Sequence, residues 1–140
     1  MRFWDASALV PLCVEEISTP SVRELVAADP DLAVWWGSPL EAASAFARIR
    51  RMGGFGAVEE QTARNALAAY RHTWTEMLPS ATLRERAIRL LSVHDLRAAD
   101  ALQLAAAVAW AGDKREGRPF VCLDTRLAEA AMREGFRVLP

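Results

Sequence analysis

The sequence predicts an α/β fold: a mainly parallel sheet with helices on both faces. Three observations lead there. Short apolar runs alternate along the chain with longer stretches of helical periodicity. The run "DLAVWWG" and its partners "RFW", "FVCL" and "FRVLP" show little polar alternation, as strands covered on both sides require. Acidic residues stand just after several of these runs, at the sheet edge where such folds gather functional groups.

The elements follow in order. "RFW" is a first strand, and a helix starts after it at Ala6. "TPSVRELVAA" predicts a helix with Thr19 as cap and Pro20 in the first turn. "DLAVWWG", rich in β-branched and aromatic residues, predicts a buried strand. "SPLEAASAFARIRRMGG" predicts a helix that Gly53 and Gly54 stop. "GAVEEQTARNALAAYRHTW" is a further helix and "SATLRERAIRLLSV" another, with Leu83, Ala87, Ile88 and Leu91 on one face. "LRAADALQLAAAVAWAG" is a helix as well. After the polar turn "DKREGRP" come the strand "FVCL", the helix "DTRLAEAAMREG" closed by Gly135, and the last strand "FRVLP".

Composition narrows the function classes. At 140 residues, 52% hydrophobic and 25% charged, residues 1–140 suit a single globular domain. A net charge of −1 supplies no global field for nucleic acid, although the basic side is almost entirely arginine, with Lys114 the only lysine. Charges interrupt every apolar run before it reaches membrane-spanning length, and "MRFWDASALV" is too early-charged for a signal peptide. A cytoplasmic protein that engages no membrane is expected. Cys13 and Cys122 have no metal-ligand spacing and read as small buried apolar residues. His72 and His94 read as surface residues, and no Ser-His-Asp or Cys-His arrangement stands out. "GGFG" follows no strand, so there is no phosphate-cradling loop. The tryptophans read as core, with Trp110 the best interface candidate.

The acids are more informative. Asp5 follows "RFW" directly, Glu41 lies in the first turn after "DLAVWWG", and Asp124 follows "FVCL". Asp100, among Ala98, Ala99, Ala101 and Leu102, joins them if its helix begins at the same edge. Each also has a local reading. Asp5 and Asp124 are able to cap the helices behind them. Ser38, Pro39 and Glu41 spell a capping box. Asp100 suits a helix dipole. Four such carboxylates at one edge would repel one another and persist by binding a divalent cation. All-oxygen ligands favour Mg²⁺ or Mn²⁺, a chemistry suited to phosphodiester hydrolysis. The hydroxyl of Ser7 reads either as a support for a carboxylate or as a helix cap. Arg97, one turn before Asp100, reads as a solvated residue or a phosphate contact.

The blocks "FWDASALVPLCVEE", "SPLEAASAFARI", "LRAADALQLAAA" and "FVCLDTRLAEAAMREGFRVLP", in that order, resemble those of PIN-domain ribonucleases, most of all the VapC-type toxins of type II toxin–antitoxin systems. The resemblance spans nearly the whole chain. It implies a Rossmann-like, three-layer α/β/α sandwich (PIN-like) and a Mg²⁺- or Mn²⁺-dependent endoribonuclease that cleaves structured RNA by metal-activated water. It also implies a homodimer and a cognate antitoxin that blocks the acidic pocket in a heterotetramer or larger complex. The family's metal-binding and catalytic acids fall on Asp5, Glu41, Asp100 and Asp124, and its small hydroxyl on Ser7. Arg48, Arg50 and Arg51, with Arg97, are the expected contacts to RNA or antitoxin. Two positions depart from the pattern. Cys122 stands where many relatives have Thr or Ser and gives Asp124 weak support. Gln103 stands where many have His, a change not expected to affect metal binding. A phosphatase of the haloacid dehalogenase type would need an acid at Ser7 and a catalytic lysine. A catalytically silent PIN-fold module binding RNA or protein would be expected to lack an acid, and none is missing. An interaction domain with purely structural caps would lose stability, but no metal affinity, on losing them.

Overall fold

The computed structural model describes residues 1–140. Its strands are β1 (Arg2–Trp4), β2 (Leu32–Trp35), β3 (Thr75–Met77), β4 (Pro119–Val121) and β5 (Arg137–Leu139). They form one sheet in the order β3-β2-β1-β4-β5, and every pairing is parallel. The helices are α1 (Ala6–Cys13), α2 (Thr19–Ala28), α3 (Ser38–Arg51), α4 (Ala57–Arg71), α5 (Ala81–Val93), α6 (Ala98–Ala111) and α7 (Thr125–Arg133).

The strand period of two explains the layering. Phe3, Ala33, Trp35 and Phe120 point to one face and join Leu83, Ala87, Leu104, Ala105, Val108 and Leu127 of α5, α6 and α7. Trp4, Leu32, Val34 and Val121 point to the other and join Leu9, Val22, Phe46 and Leu67 of α1 to α4. A strand with an apolar side chain on both faces reads as an unbroken apolar run, which is what made these strands visible in the sequence. The result is the expected α/β/α sandwich. From β1 the chain first steps outward to β2 and β3, then returns to β4 and β5 on the other side. That reversal puts the topological switch point beside the carboxyl end of β1, where such sheets open a crevice. No helix is long and apolar enough to cross a membrane.

Several local expectations are corrected. The fifth strand, β3, lies inside "HTWTEML", where α4 stops at Arg71 and the remainder becomes an edge strand. Thr19 does not cap α2: its hydroxyl donates to Pro11 O at 2.9 Å and accepts from the amide of Glu16 at 2.8 Å, tying α2 to α1. Gly37, not Ser38, is the N-cap residue of α3, and no capping box closes there. On α5 the buried stripe is Leu83, Ala87 and Leu90, while Ile88 and Leu91 face solvent. His94 is buried, with Nε2 at 2.8 Å from Glu134 Oε1, so it pins the end of α5 to the end of α7. Trp36, read as core, is exposed, while Trp110 is half-buried against Phe3 with the guanidinium carbon of Arg118 4.2 Å from its ring centroid.

Candidate active site

The acids of the sheet edge are held by the turns that end the strands. The amide of Asp5 donates to Val121 O at 3.0 Å, extending the β1–β4 ladder by one step. Asp5 then caps α1, with Oδ2 accepting from the Ser7 amide at 2.9 Å. Asp124 caps α7 in the same way, Oδ1 accepting from the Leu127 amide at 2.8 Å. The capping readings of both acids are therefore right as far as they go. A cap uses one oxygen of each carboxylate and leaves the other for different work.

Ser7 links the two. Its hydroxyl accepts from the amides of Leu123 at 2.9 Å and Asp124 at 3.3 Å, so it fixes the turn after β4 against the start of α1. The hydroxyl positions the backbone of the fourth acid and caps no helix. Cys122 packs at the same junction, with Sγ 3.8 Å from Asp5 Oδ2 and 3.4 Å from Asp124 O. Burial pushes its thiol pKa well up, so it remains a neutral, weak donor.

Glu41 is reached by a different device. Gln103 of α6 is fully buried, and its Nε2 donates to Glu41 Oε1 at 3.1 Å and to Ser38 Oγ at 3.1 Å. Ser38, read as a cap from the sequence, spends its hydroxyl on this amide. Gln103 itself, expected to be neutral toward the site, touches one of its acids. Asp100 stands one turn earlier on α6, in the first turn of that helix.

The electrostatics show that these groups feel one another. Burial raises the pKa of the Asp5 carboxyl and the Asp100 charge adds to it, while the hydroxyl and amide of Ser7 oppose the rise. Burial and the Asp5 charge push Glu41 up to about 7, with Asp100 adding and the Gln103 amide opposing. Asp100 is raised by burial and by Asp124, with Arg97 and Arg126 opposing. Asp5, Glu41 and Asp100 thus repel one another, and the Asp124 charge bears on Asp100.

Glu41, Asp100, Asp124 and Ser7 line a hollow of about 960 Å³, with Asp5 buried just behind Ala6 and Ser7. A fifth acid, Glu16, also reaches its wall. Three arginines from three elements join the lining: Arg48 of α3, Arg97 before α6 and Arg126 of α7. Arg126 escaped the sequence reading because "DTRL" offers no signal beyond its aspartate. The other two arginines of α3 lie elsewhere. Arg50 is paired with Glu60 at 3.2 Å, and Arg51 is exposed outside the hollow.

Two solved structures share this architecture. The sarcin-ricin loop cleaving toxin VapC20 of Mycobacterium tuberculosis aligns with a TM-score of 0.68 at 19% identity, covering 93% of this chain and 95% of that one. A toxin–antitoxin complex from Klebsiella pneumoniae aligns at 0.61 and 19% identity, covering 90% and 88%. The chain has the PIN-like fold of the VapC-type toxins. No family model and no curated protein matches the sequence. At this identity the likeness fixes the fold alone.

The site offers hard oxygen donors and no soft or imidazole ligand, the donor chemistry of Mg²⁺ or Mn²⁺. Its repelling carboxylates are also the kind that a dication stabilises. No three acidic, cysteine or histidine side chains form a finished ligand set in this conformation. The fit therefore lies in donor type and charge.

Proposed function

We propose that the chain is a metal-dependent endoribonuclease and the toxin of a type II toxin–antitoxin pair, acting on structured RNA in the cytoplasm. One observation carries this reading: Glu41, Asp100 and Asp124, from distant parts of the sequence, line one hollow at the switch point of a PIN-like sheet, with Asp5 buried at the end of β1.

Asp5, Asp100 and Asp124 would hold Mg²⁺ or Mn²⁺, with Glu41 as a further ligand directly or through water. Such an ion supplies charge neutralisation on the phosphate and a lowered pKa for the attacking water. The residues do the rest. Glu41, with Oε1 held by the Gln103 amide at 3.1 Å, would present a fixed carboxylate to that ion or to its water. Asp5 and Asp124, fixed through caps at helix starts, keep their carboxylates from rotating away. Arg48, Arg97 and Arg126 line the same hollow and would grip phosphates of the RNA, which would offset the repulsion between RNA and acids. An antitoxin with an acidic segment would meet the same arginines and close the hollow. The toxin–antitoxin complex among the structural neighbours supports this partner. A homodimer, and a heterotetramer or larger complex with antitoxin, belongs to the same reading.

The unfinished ligand set favours one competitor, a PIN-fold module that binds RNA or protein without cutting it. Cleavage of ribosomal and transfer RNA with and without MnCl₂, for wild type and Asp100→Asn, separates the two. The nuclease reading expects metal-dependent fragments with 5′-phosphate ends, lost in the variant. RNA bound but never cut, together with no Mn²⁺ uptake by calorimetry, would leave the binding module.

A further inference from the structure

We propose that Gln103 is a positioning residue of the acidic site: it holds Glu41 in place through a buried Ser38–Gln103–Glu41 hydrogen-bond relay and so sets the affinity for a divalent cation. The inference rests on the metal reading above and deepens it.

The geometry is specific. Gln103 is fully buried, as is Ser38, while Glu41 lines the hollow. A buried primary amide must satisfy both ends. Its Nε2 lies 3.1 Å from Glu41 Oε1 and 3.1 Å from Ser38 Oγ, and its Oε1 accepts from the Ser38 hydroxyl at 3.3 Å. The carboxylate accepts only, so the amide nitrogen is the end that must face it. Ser38 fixes the amide from the other side, and it is free to do so because Gly37 has taken the cap position of α3. The relay joins α3 to α6 one turn beyond Asp100, so a single helix carries one acid and holds another.

Glu41 needs such a hold. The charges of Asp5 and Asp100 both push against it, and no arginine or lysine bonds to its carboxylate. Gln103 is the only side chain that donates to it. Partners that orient a ligating carboxylate commonly change metal affinity by about 10-fold or more when removed.

Mn²⁺ titration by calorimetry on the full chain tests this with Gln103→Met, which keeps length and apolar bulk and removes the donor. The expected result is a roughly 10-fold weaker Kd. In a Glu41→Gln background the same substitution is expected to add less than twofold, because the group being positioned is gone. A merely structural glutamine would cost the same in both backgrounds, and that outcome overturns the proposal. So does a Gln103→Met protein that binds Mn²⁺ as wild type does. If Gln103→Met does not fold by circular dichroism, Ser38→Ala replaces it. That variant removes the anchor of the amide and leaves Gln103 in place, and the same difference between backgrounds is required of it. A wild type that binds no Mn²⁺ removes the metal reading and this inference together. A wild type that binds, with Gln103 indifferent, removes the inference alone.

Discussion

A single carboxyl illustrates the conflict within this site. Glu41 loses its proton near 4.5 in an ordinary setting and near 7 in the folded chain, chiefly because it is buried and secondly because Asp5 faces it. Between those values the folded chain holds a proton that the unfolded chain has released. Stability from this group is therefore full below about pH 4.5, falls as pH rises toward about 7, and is flat above. Asp5 and Asp100, raised for the same reason, add to the trend. With no divalent cation present, Glu41→Gln should melt higher than wild type at pH 8 and close to it at pH 5. The gap is worth about 1–2 kcal/mol once solvent screening of a half-buried group is allowed for. Differential scanning calorimetry at the two pH values measures it. A wild type whose Tm is indifferent to Glu41→Gln at pH 8 would mean that the repulsion is relieved by solvent rather than stored.

Among the elements, the helix starts carry two duties at once. Asp124 caps α7 through Oδ1 and lines the hollow, so the two roles are separable by chemistry. Asparagine retains a cap oxygen and discards the charge; alanine discards both. Asp124→Asn should keep the wild-type Tm to within about 2 °C yet lose Mn²⁺ binding and RNA cleavage, whereas Asp124→Ala should also cost about 1 kcal/mol of stability. Equal Mn²⁺ affinity in wild type and Asp124→Asn would reduce Asp124 to a cap. The same duality explains what the sequence could reveal. Asp5, Asp100 and Asp124 were legible because a strand-to-helix turn and an apolar helix both make an acid conspicuous. Strands with apolar residues on both faces were legible for a related reason. By contrast β3, with Thr75 and Glu76 at an edge, carries no such run. Thr19 and Ser38 follow capping statistics but spend their hydroxyls on tertiary partners 8 and 65 residues away. Local pattern has no access to those contacts. Gln103 was visible only as a departure, and its bond to Glu41 spans 62 residues.

At the scale of the whole molecule the problem is how a chain of net charge −1, with its acids gathered at one edge, would accept a polyanion. The arginine rim supplies a local answer. Arg48, Arg97 and Arg126 enter the hollow from α3, the start of α6 and α7, so charge is concentrated around the acids rather than spread over the surface. Arg126 has a restraint that the others lack, a loose pair with the exposed Asp95 at 3.8 Å, too long and too solvated to hold it strongly. It can therefore exchange Asp95 for a phosphate at little cost. Arg126→Ala is expected to weaken RNA binding by several-fold near physiological salt and to lower the slope of log Kd against log salt by about one unit. Mn²⁺ affinity should change little, since the arginine gives the ion no ligand. Fluorescence anisotropy on a structured RNA across a salt series reads the slope directly. An unchanged slope with weakened Mn²⁺ binding would instead make Arg126 a counter-charge that keeps Asp100 ionised, with the phosphate grip left to Arg48 and Arg97.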